Sequence, residues 1–334
     1  MKVTNTQDFA TYDVVVVGGG AAGLGGALML GRSQRSVLVI DAGEPRNAPA
    51  SAVHAFLTRD GMDPTELLEA GREEVRGYGV KVLDGRVASA ESADSVDGGF
   101  TVTLEDGSRV GARRLLVTTG LVDELPDVPG VRERWGRDVL HCPYCHGWEV
   151  RDQPVGVLGS GPIAMHQALL FRQLTADLTL FVHTAPQPTD EESEQLAARG
   201  VTVVEGEVAS LEVHEDRLTG VRLQNGEVVS RSAVVVGPRF ATRARMLAGL
   251  GLETTIHPSG MGEHIEADAT GLTAVPGVWV AGNVTDPAAQ VLGSANAGVM
   301  AGAAINADLI AEDTREAVAA HRDRLSSTAE ERRS

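Results

Sequence analysis

The residues best able to do chemistry gather between positions 141 and 149, in the run His141-Cys142-Pro143-Tyr144-Cys145-His146-Gly147-Trp148-Glu149. Cys142 and Cys145 are the only cysteines in the 334-residue sequence. At C-x-x-C spacing two thiols can close a small disulfide ring and reopen it. A flanking imidazole can take or give the proton that thiol exchange needs. Three readings compete: a zinc site of Cys142, Cys145, His141 and His146, two inert buried thiols, or a redox-active dithiol. Zinc wants a tetrahedron, normally of two ligand pairs on separate elements, and no second cysteine pair exists. Inert thiols would be an odd use of a chain otherwise free of cysteine. The redox dithiol is therefore favoured, with no metal expected. The motif alone does not name its electron partner.

The elements around this loop narrow the choice. Tyr12 to Val17 reads as a buried parallel strand, followed by Gly18-Gly19-Gly20-Ala21-Ala22-Gly23, a helix over Leu24 to Arg32, and a strand Val37 to Ile40 ending at Asp41. This is the strand, glycine turn, helix, strand, acid pattern of a dinucleotide-binding unit. Gly18 makes the tight turn, Gly20 admits a pyrophosphate, Gly23 permits close helix–strand packing, and Asp41 can accept from a ribose diol. The pattern does not distinguish FAD from NAD.

The pattern restarts after the cysteine loop. A strand at Val155 to Leu158 leads into a second turn, Gly159-Ser160-Gly161-Pro162-Ile163-Ala164, then a helix over Met165 to Leu174 and a strand over Leu178 to Val182. NADPH would want arginines next, and NADH an acid; the chain offers His183-Thr184-Ala185, with Asp190-Glu191-Glu192 beyond. Arg199 or Arg239 could arrive from elsewhere. The second nucleotide site reads as weak or vestigial, and NADPH as a doubtful cofactor.

Between and after these units, Glu44 to Asp60 reads as an irregular connection and Pro64 to Gly77 as a helix capped by Asp63. Turns at Asp97-Gly98-Gly99 and Glu105-Asp106-Gly107 mark a small antiparallel insert before a buried strand, Arg114 to Thr118. Leu121 to Gly130 reads as a domain junction, and Arg239 to Arg245 crosses back. A buried strand ends at Gly282-Asn283. Ser294 to Ile310 reads as a helix of small residues, and the charged stretch from Glu312 to Ser334 as a solvated helix extension fraying into a tail.

Length and composition agree with two globular domains: the chain is 43% hydrophobic and 22% charged. A net charge of −17 argues against nucleic acid and anionic membrane surfaces as partners. Met1 to Thr11 lacks the layout of a signal peptide, and no apolar run could span a bilayer, so a cytoplasmic location is expected. There a lone C-x-x-C is more often catalytic than structural.

Taken in order, the turn at Gly18 to Gly23, Thr118-Thr119-Gly120, the C-x-x-C, the turn at Gly159 to Ala164 and Val278 to Asn283 resemble the low-molecular-weight thioredoxin reductase family, across nearly the whole chain. The resemblance implies an α/β fold of two Rossmann-like domains. Residues 1–121 and 246–334 would form a discontinuous FAD domain, with the charged tail from about 312. Residues 122–245 would form an inserted NAD(P)-like domain carrying the dithiol. It also implies FAD contacts: Gly18, Gly20 and Gly23 at the pyrophosphate, Asp41 at the ribose, Arg46 and Asn47 near the flavin, and Val87 near the adenine. Thr119 and Gly120 belong to the same set, with Asn283 at the ribityl chain and Gln290-Val291 at the isoalloxazine ring. A homodimer is implied as well.

Three positions depart from the reductases. His146 stands where they place an acid, His183-Thr184-Ala185 where they carry His-Arg-Arg, and Gly282-Asn283 where they have Gly-Asp. The first two resemble the dithiol oxidase branch, which forms disulfides in natural products such as gliotoxin and holomycin with oxygen in place of NADPH. On that resemblance the chain is expected to oxidise a small-molecule dithiol and give peroxide. Substrate would attack Cys142, the more exposed cysteine by analogy, Cys145 would pass electrons to the flavin, and His146 would be the base. An NAD(P)H-dependent thioredoxin-disulfide reductase and a non-catalytic flavin redox sensor are the alternatives.

Overall fold

The computed structural model describes residues 9–93, 98–161 and 163–331. Four sequence expectations reach outside that range: Met1 to Asp8 of the polar N-terminus, Asp97 of its turn, Pro162 of the second glycine turn, and Arg332 to Ser334 of the tail.

The chain opens with strand β1 (Thr11–Val17), helix α1 (Ala21–Arg32), β2 (Val37–Asp41), α2 (Pro64–Gly77) and β3 (Lys81–Asp84). An antiparallel meander follows, β4 (Val87–Ser92), β5 (Phe100–Leu104) and β6 (Arg109–Val117). Short elements lead away: β7 (Leu121–Glu124), α3 (Val131–Arg134), β8 (Val139–Leu140) and α4 (Pro143–His146). A second run comprises β9 (Val155–Leu158), α5 (Ala164–Phe171), β10 (Leu178–Phe181), α6 (Asp190–Ala198) and β11 (Thr202–Val204). Then come β12 (Val208–His214), β13 (Arg217–Leu223), β14 (Val228–Ser230), β15 (Ala233–Val236) and β16 (Arg239–Thr242). The chain closes with β17 (Thr255–Ile256), β18 (Glu263–His264), β19 (Val278–Val280) and α7 (Val291–Glu331).

Two parallel sheets carry the architecture. The first runs β3-β2-β1-β6, with β19 parallel to the C-terminal half of β6 and β5 antiparallel to its N-terminal half. The second is β11-β10-β9-β15-β8, parallel throughout. The central strands β1, β2, β9, β10 and β15 are buried on both faces, which is why they read as nearly unbroken apolar runs, while the edge strands β3 and β11 are largely exposed. Side chains alternate between faces along a strand. Val14 and Val16 pack with Leu24, Leu30 and Ile305 under the helices. Val15 and Val17 pack with Phe100, Val102 and Leu247 on the other side. In the second sheet Val155 and Val157 face Phe171 and Leu196, while Leu158 and Val234 face Val208 and Val221.

The two chain passages between the sheets do not run separately. β7 and β16 pair antiparallel, Leu121 opposite Thr242 and Glu124 opposite Arg239. The segments expected to leave and cross back thus form one ribbon.

Most expected elements fall within a residue or two of their predicted bounds, and α2 has both ends as predicted, with the Asp63 carboxylate accepting from the N–H of Thr65 and Glu66. At the C-terminus the helix extension expected from Glu312 is present: α7 runs on past Ile310 without a break and is continuous to Glu331. Ion pairs hold it past Ile310: Arg114 with Asp308 and Glu312, Arg113 with Glu312, and Arg35 with Asp313. Beyond them Ala, Glu and Arg continue the helix by propensity. Among the described residues no helix is long and apolar enough to cross a membrane.

α1 and α7 cross on glycine. A Cβ on Gly298 would overlap the Ala22 carbonyl, and one on Gly302 would stand 2.8 Å from the Gly26 oxygen. Backbone on both sides leaves no flexible atom to yield. Gly298→Ala is expected to destabilise the protein by about 1–3 kcal/mol through overpacking, read as a lower thermal midpoint. An unchanged midpoint would mean the two helices can part without cost.

Candidate active site

The cysteine loop starts where β8 leaves the second sheet. Cys142 is the N-cap of α4, in extended conformation, and Pro143 occupies the first helical position, where no N–H is needed. The N–H groups of Cys145 and His146 donate to the Cys142 carbonyl at 3.3 and 3.2 Å. Gly147 lets the turn close against α5, since a Cβ there would press on Leu174 and the Pro143 carbonyl. Among the described residues no three His, Cys, Asp or Glu side chains converge as metal ligands.

Both cysteines are free thiols and both are half-buried, so exposure does not rank them. Electrostatics does. The Cys145 thiol donates to the Cys142 sulfur, the N–H groups of Cys145 and Tyr144 point at it, and Arg46 adds positive charge; against burial, these bring Cys142 down to about 7. Cys145 moves up, because its proton is held by Cys142 and because it is buried. The first negative charge of the reduced pair therefore sits on Cys142.

His146 is partly buried, and burial lowers its pKa; His54 pushes the same way and Glu149 opposes. Its Nε2 is buried without a hydrogen-bond partner. A neutral imidazole with an uncommitted nitrogen beside two thiols is suited to accept a proton.

This loop forms one wall of a cleft of about 940 Å³, near the upper end of ligand-site sizes. The cleft is lined by Cys142, Cys145 and His146 and by Gly18, Gly20, Asp41, Arg46, Asn47, Val87, Thr119, Gly120, Asn283, Gln290 and Val291. Gly23 is the exception among the residues inferred from sequence. It lies inside α1, where a Cβ would overlap the Gly18 carbonyl and approach Thr118 Oγ1 to 2.7 Å. This is the close packing that the sequence motif assigns to it.

The lining fits a dinucleotide. A Cβ on Gly20 would meet no protein atom within 4 Å. The 12-residue α1 begins there with no side-chain cap and no acid in its first turn, leaving N–H groups and positive dipole toward the cleft. Gly18 turns at φ +107° against Thr118, whose hydroxyl donates to the Gly18 carbonyl at 2.8 Å. Thr119 Oγ1 is buried at the cleft wall without a partner.

Several partners were invisible in the sequence. Asp41 accepts from the Gly19 N–H at 3.0 Å and from Arg72 of α2 at 2.5 Å. Arg46 grips Asp123 of β7 with two hydrogen bonds, 2.9 and 2.7 Å, and lies 4.8 Å over the Phe240 ring of β16. Asn283 accepts from Arg46 at 3.4 Å while its amide donates to the carbonyls of Asp286 and Ala289, shaping the turn before Gln290. No spacing rule pairs residues so far apart in sequence; acid-rich stretches near Asp123 were the only hint.

At the second glycine turn, the segment after β10 folds back on itself. Thr184 and Ala185 donate their N–H groups to the Gly159 carbonyl, and His183 Nδ1 accepts from the Val208 N–H. Arg239, one of the two arginines that could have supplied a cation, is tied to Glu124 and Glu263 at 2.7 Å each.

Two parallel dinucleotide-type sheets with a reactive C-x-x-C in the cleft define a flavoprotein-type disulfide oxidoreductase. Residues 12–302 match the pyridine nucleotide-disulphide oxidoreductase family model, and the chain belongs to that family. It is 30% identical to thioredoxin reductase sirT of Leptosphaeria maculans, over 90% of this chain and 95% of that protein. The solved structure of HlmI is 50% identical and superposes with a TM-score of 0.87, covering 92% of this chain and 95% of its own. The oxidoreductase from Agrobacterium tumefaciens is 34% identical, with a TM-score of 0.84 over 90% of this chain and 99% of that one.

Two outcomes test the site. Gly20→Val is expected to fold with unchanged thermal midpoint once stripped of cofactor, yet to lose its flavin absorbance, because the added methyls enter the cleft and no protein atom. Full flavin occupancy in that variant would refute the assignment of the first glycine turn. Iodoacetamide labelling of the reduced protein should be carried by Cys142, with a midpoint near 7, faster above and slower below, since the thiolate is the nucleophile. A midpoint at the ordinary thiol value, or labelling carried by Cys145, would contradict the charge distribution above.

Proposed function

We propose that the protein is an FAD-dependent dithiol oxidase that closes a disulfide in a small-molecule dithiol of natural-product type, with oxygen as acceptor. In this reading residues 1–121 and 246–334 hold FAD and residues 122–245 present the dithiol. The observation that carries oxidase over reductase is the strand end after β10. A 2′-phosphate there would meet Thr184 and Ala185, already folded onto Gly159, and no arginine pair. Charge-assisted hydrogen bonds contribute about 1.5–3 kcal/mol each, so lacking two weakens NADPH by roughly a hundredfold or more.

The residues divide the work. A substrate thiolate attacks Cys142 of the enzyme disulfide and frees Cys145. The second substrate thiol displaces Cys142 and leaves as the disulfide, while His146 Nε2 takes thiol protons and returns them to the enzyme pair. FAD, held by the glycine turn at Gly18 to Gly20 and the cleft lining, would supply the two-electron acceptor that links the reduced pair, through Cys145, to oxygen, with hydrogen peroxide as the reduced product. The apolar cleft wall keeps the exchange away from bulk water.

A second reading, an NAD(P)H-dependent disulfide reductase, is favoured by the space at Gly161, where a Cβ would meet nothing within 4 Å, and by the name of the sirT relative. One anaerobic experiment separates them. Excess NADPH is expected to bleach the flavin slowly or not at all, and a small dithiol to bleach it within minutes. Air should then restore the colour with about one peroxide per disulfide, as a two-electron couple requires. Rapid, saturable bleaching by micromolar NADPH would move the protein to the reductase reading.

A further inference from the structure

His141 has no part in the scheme above, although it adjoins Cys142 and lines the same cleft. Its ring is held with care. Nδ1 lies 3.2 Å from the Val236 carbonyl at the end of β15. The Gln167 amide nitrogen reaches the same carbonyl at 3.1 Å and the His141 carbonyl at 3.2 Å. Both are acceptors, so the amide is oriented with its nitrogen inward, leaving Gln167 Oε1 turned away, buried and unpartnered. The Phe240 ring meets the imidazole edge-on at 5.4 Å.

The Gln167 amide nitrogen also lies 3.3 Å from Nδ1, but its two hydrogens go to the His141 and Val236 carbonyls, so Nδ1 keeps its own proton, donates it to the Val236 carbonyl and leaves the lone pair on Nε2. Nε2 has no protein partner among the described residues. We propose that His141 is a second proton acceptor of the dithiol centre, its ring locked by the Val236 carbonyl so that Nε2 serves the thiols. This rests on dithiol exchange at Cys142 and Cys145.

Proton balance gives the role its purpose. When a substrate dithiol closes on the enzyme disulfide, one S–S bond breaks and one forms. Two S–H bonds are lost by substrate and two are gained, at Cys142 and Cys145. A single imidazole would have to carry both protons in turn. His141 and His146 flank the C-x-x-C on either side, so each can carry one. The charged groups acting on His141 are Arg46 from the connection after β2 and Asp123 from β7, while the two thiols and His146 of its own loop line the same cleft. Burial lowers its pKa, Arg46 adds to that and Asp123 opposes, so the ring is neutral and ready to accept at neutral pH.

The test follows the anaerobic reduction of the FAD-loaded, full-length protein by dithiothreitol in a stopped-flow instrument, from about pH 6 to about pH 9. His141→Asn keeps a side-chain N–H for the Val236 carbonyl and lacks Nε2; His141→Phe keeps the ring against Phe240 and lacks both nitrogens. Both are expected to lose about a hundredfold in rate at the acid end, the deficit closing toward the alkaline end where thiols ionise unaided. Visible spectrum and thermal midpoint should be unchanged in at least one of them. A wild-type rate in either variant, or a deficit independent of pH, would overturn the role of His141 and leave dithiol exchange standing. Failure of dithiothreitol to reduce the wild-type protein would overturn both.

Discussion

Arg46 is the point on which the site depends. Its guanidinium pairs with Asp123 on one strand of the inter-sheet ribbon, covers Phe240 on the other, and touches Asn283 at the turn before α7. Asp123 is almost fully buried, so neither charge can be left alone without a large desolvation cost. The planar fork satisfies two oxygens and a ring face together, which a lysine could not do. This cation ties the ribbon that carries the second sheet to the cleft floor of the first, and it adds positive charge beside both thiols.

Around that clamp, burial sets the chemistry. Desolvation alone would raise both thiols and lower both imidazoles. It does so for His141, His146 and Cys145. Cys142 escapes because three donors converge on its sulfur: one thiol and two backbone N–H groups at the start of α4. The result is one ionisable thiol near neutrality beside imidazoles that stay neutral, the combination thiol–disulfide exchange needs. Membership of the pyridine nucleotide-disulphide oxidoreductase family supplies the framework. After β10 the N–H groups of Thr184 and Ala185 are spent on the Gly159 carbonyl.

Much of this was legible before any fold was known. The apolar runs 12–17, 37–40 and 155–158, the glycine turns that follow two of them, and Asp63-Pro64 at a helix start are local signals. Each is dictated by side-chain burial or backbone geometry over a few residues, so each survives into the structure. The cysteine spacing is likewise local chemistry. Sequence therefore determined the fold class, the dithiol and most of the cleft lining. Its reach ended where local signals stop. Gly23 carried two readings, close packing from the motif and a pyrophosphate contact from the resemblance, and local signals alone do not show what lies against it. The charged stretch after Glu312 read as a helix extension, but not as an anchored one, because the arginines that hold its start, Arg113 and Arg114, are some two hundred residues away.

Tertiary structure alone decided which residues meet. Arg46 finds Asp123 and Phe240, Arg72 finds Asp41, and His141 finds Val236, across separations no periodicity encodes. The protonation of the two cysteines was also beyond sequence, since the residues are identical in type and equally half-buried. What separates them is the direction of one thiol hydrogen bond and of two backbone N–H groups. A hydrogen bond is strong only at close range and in line, so such direction exists only once the chain has folded.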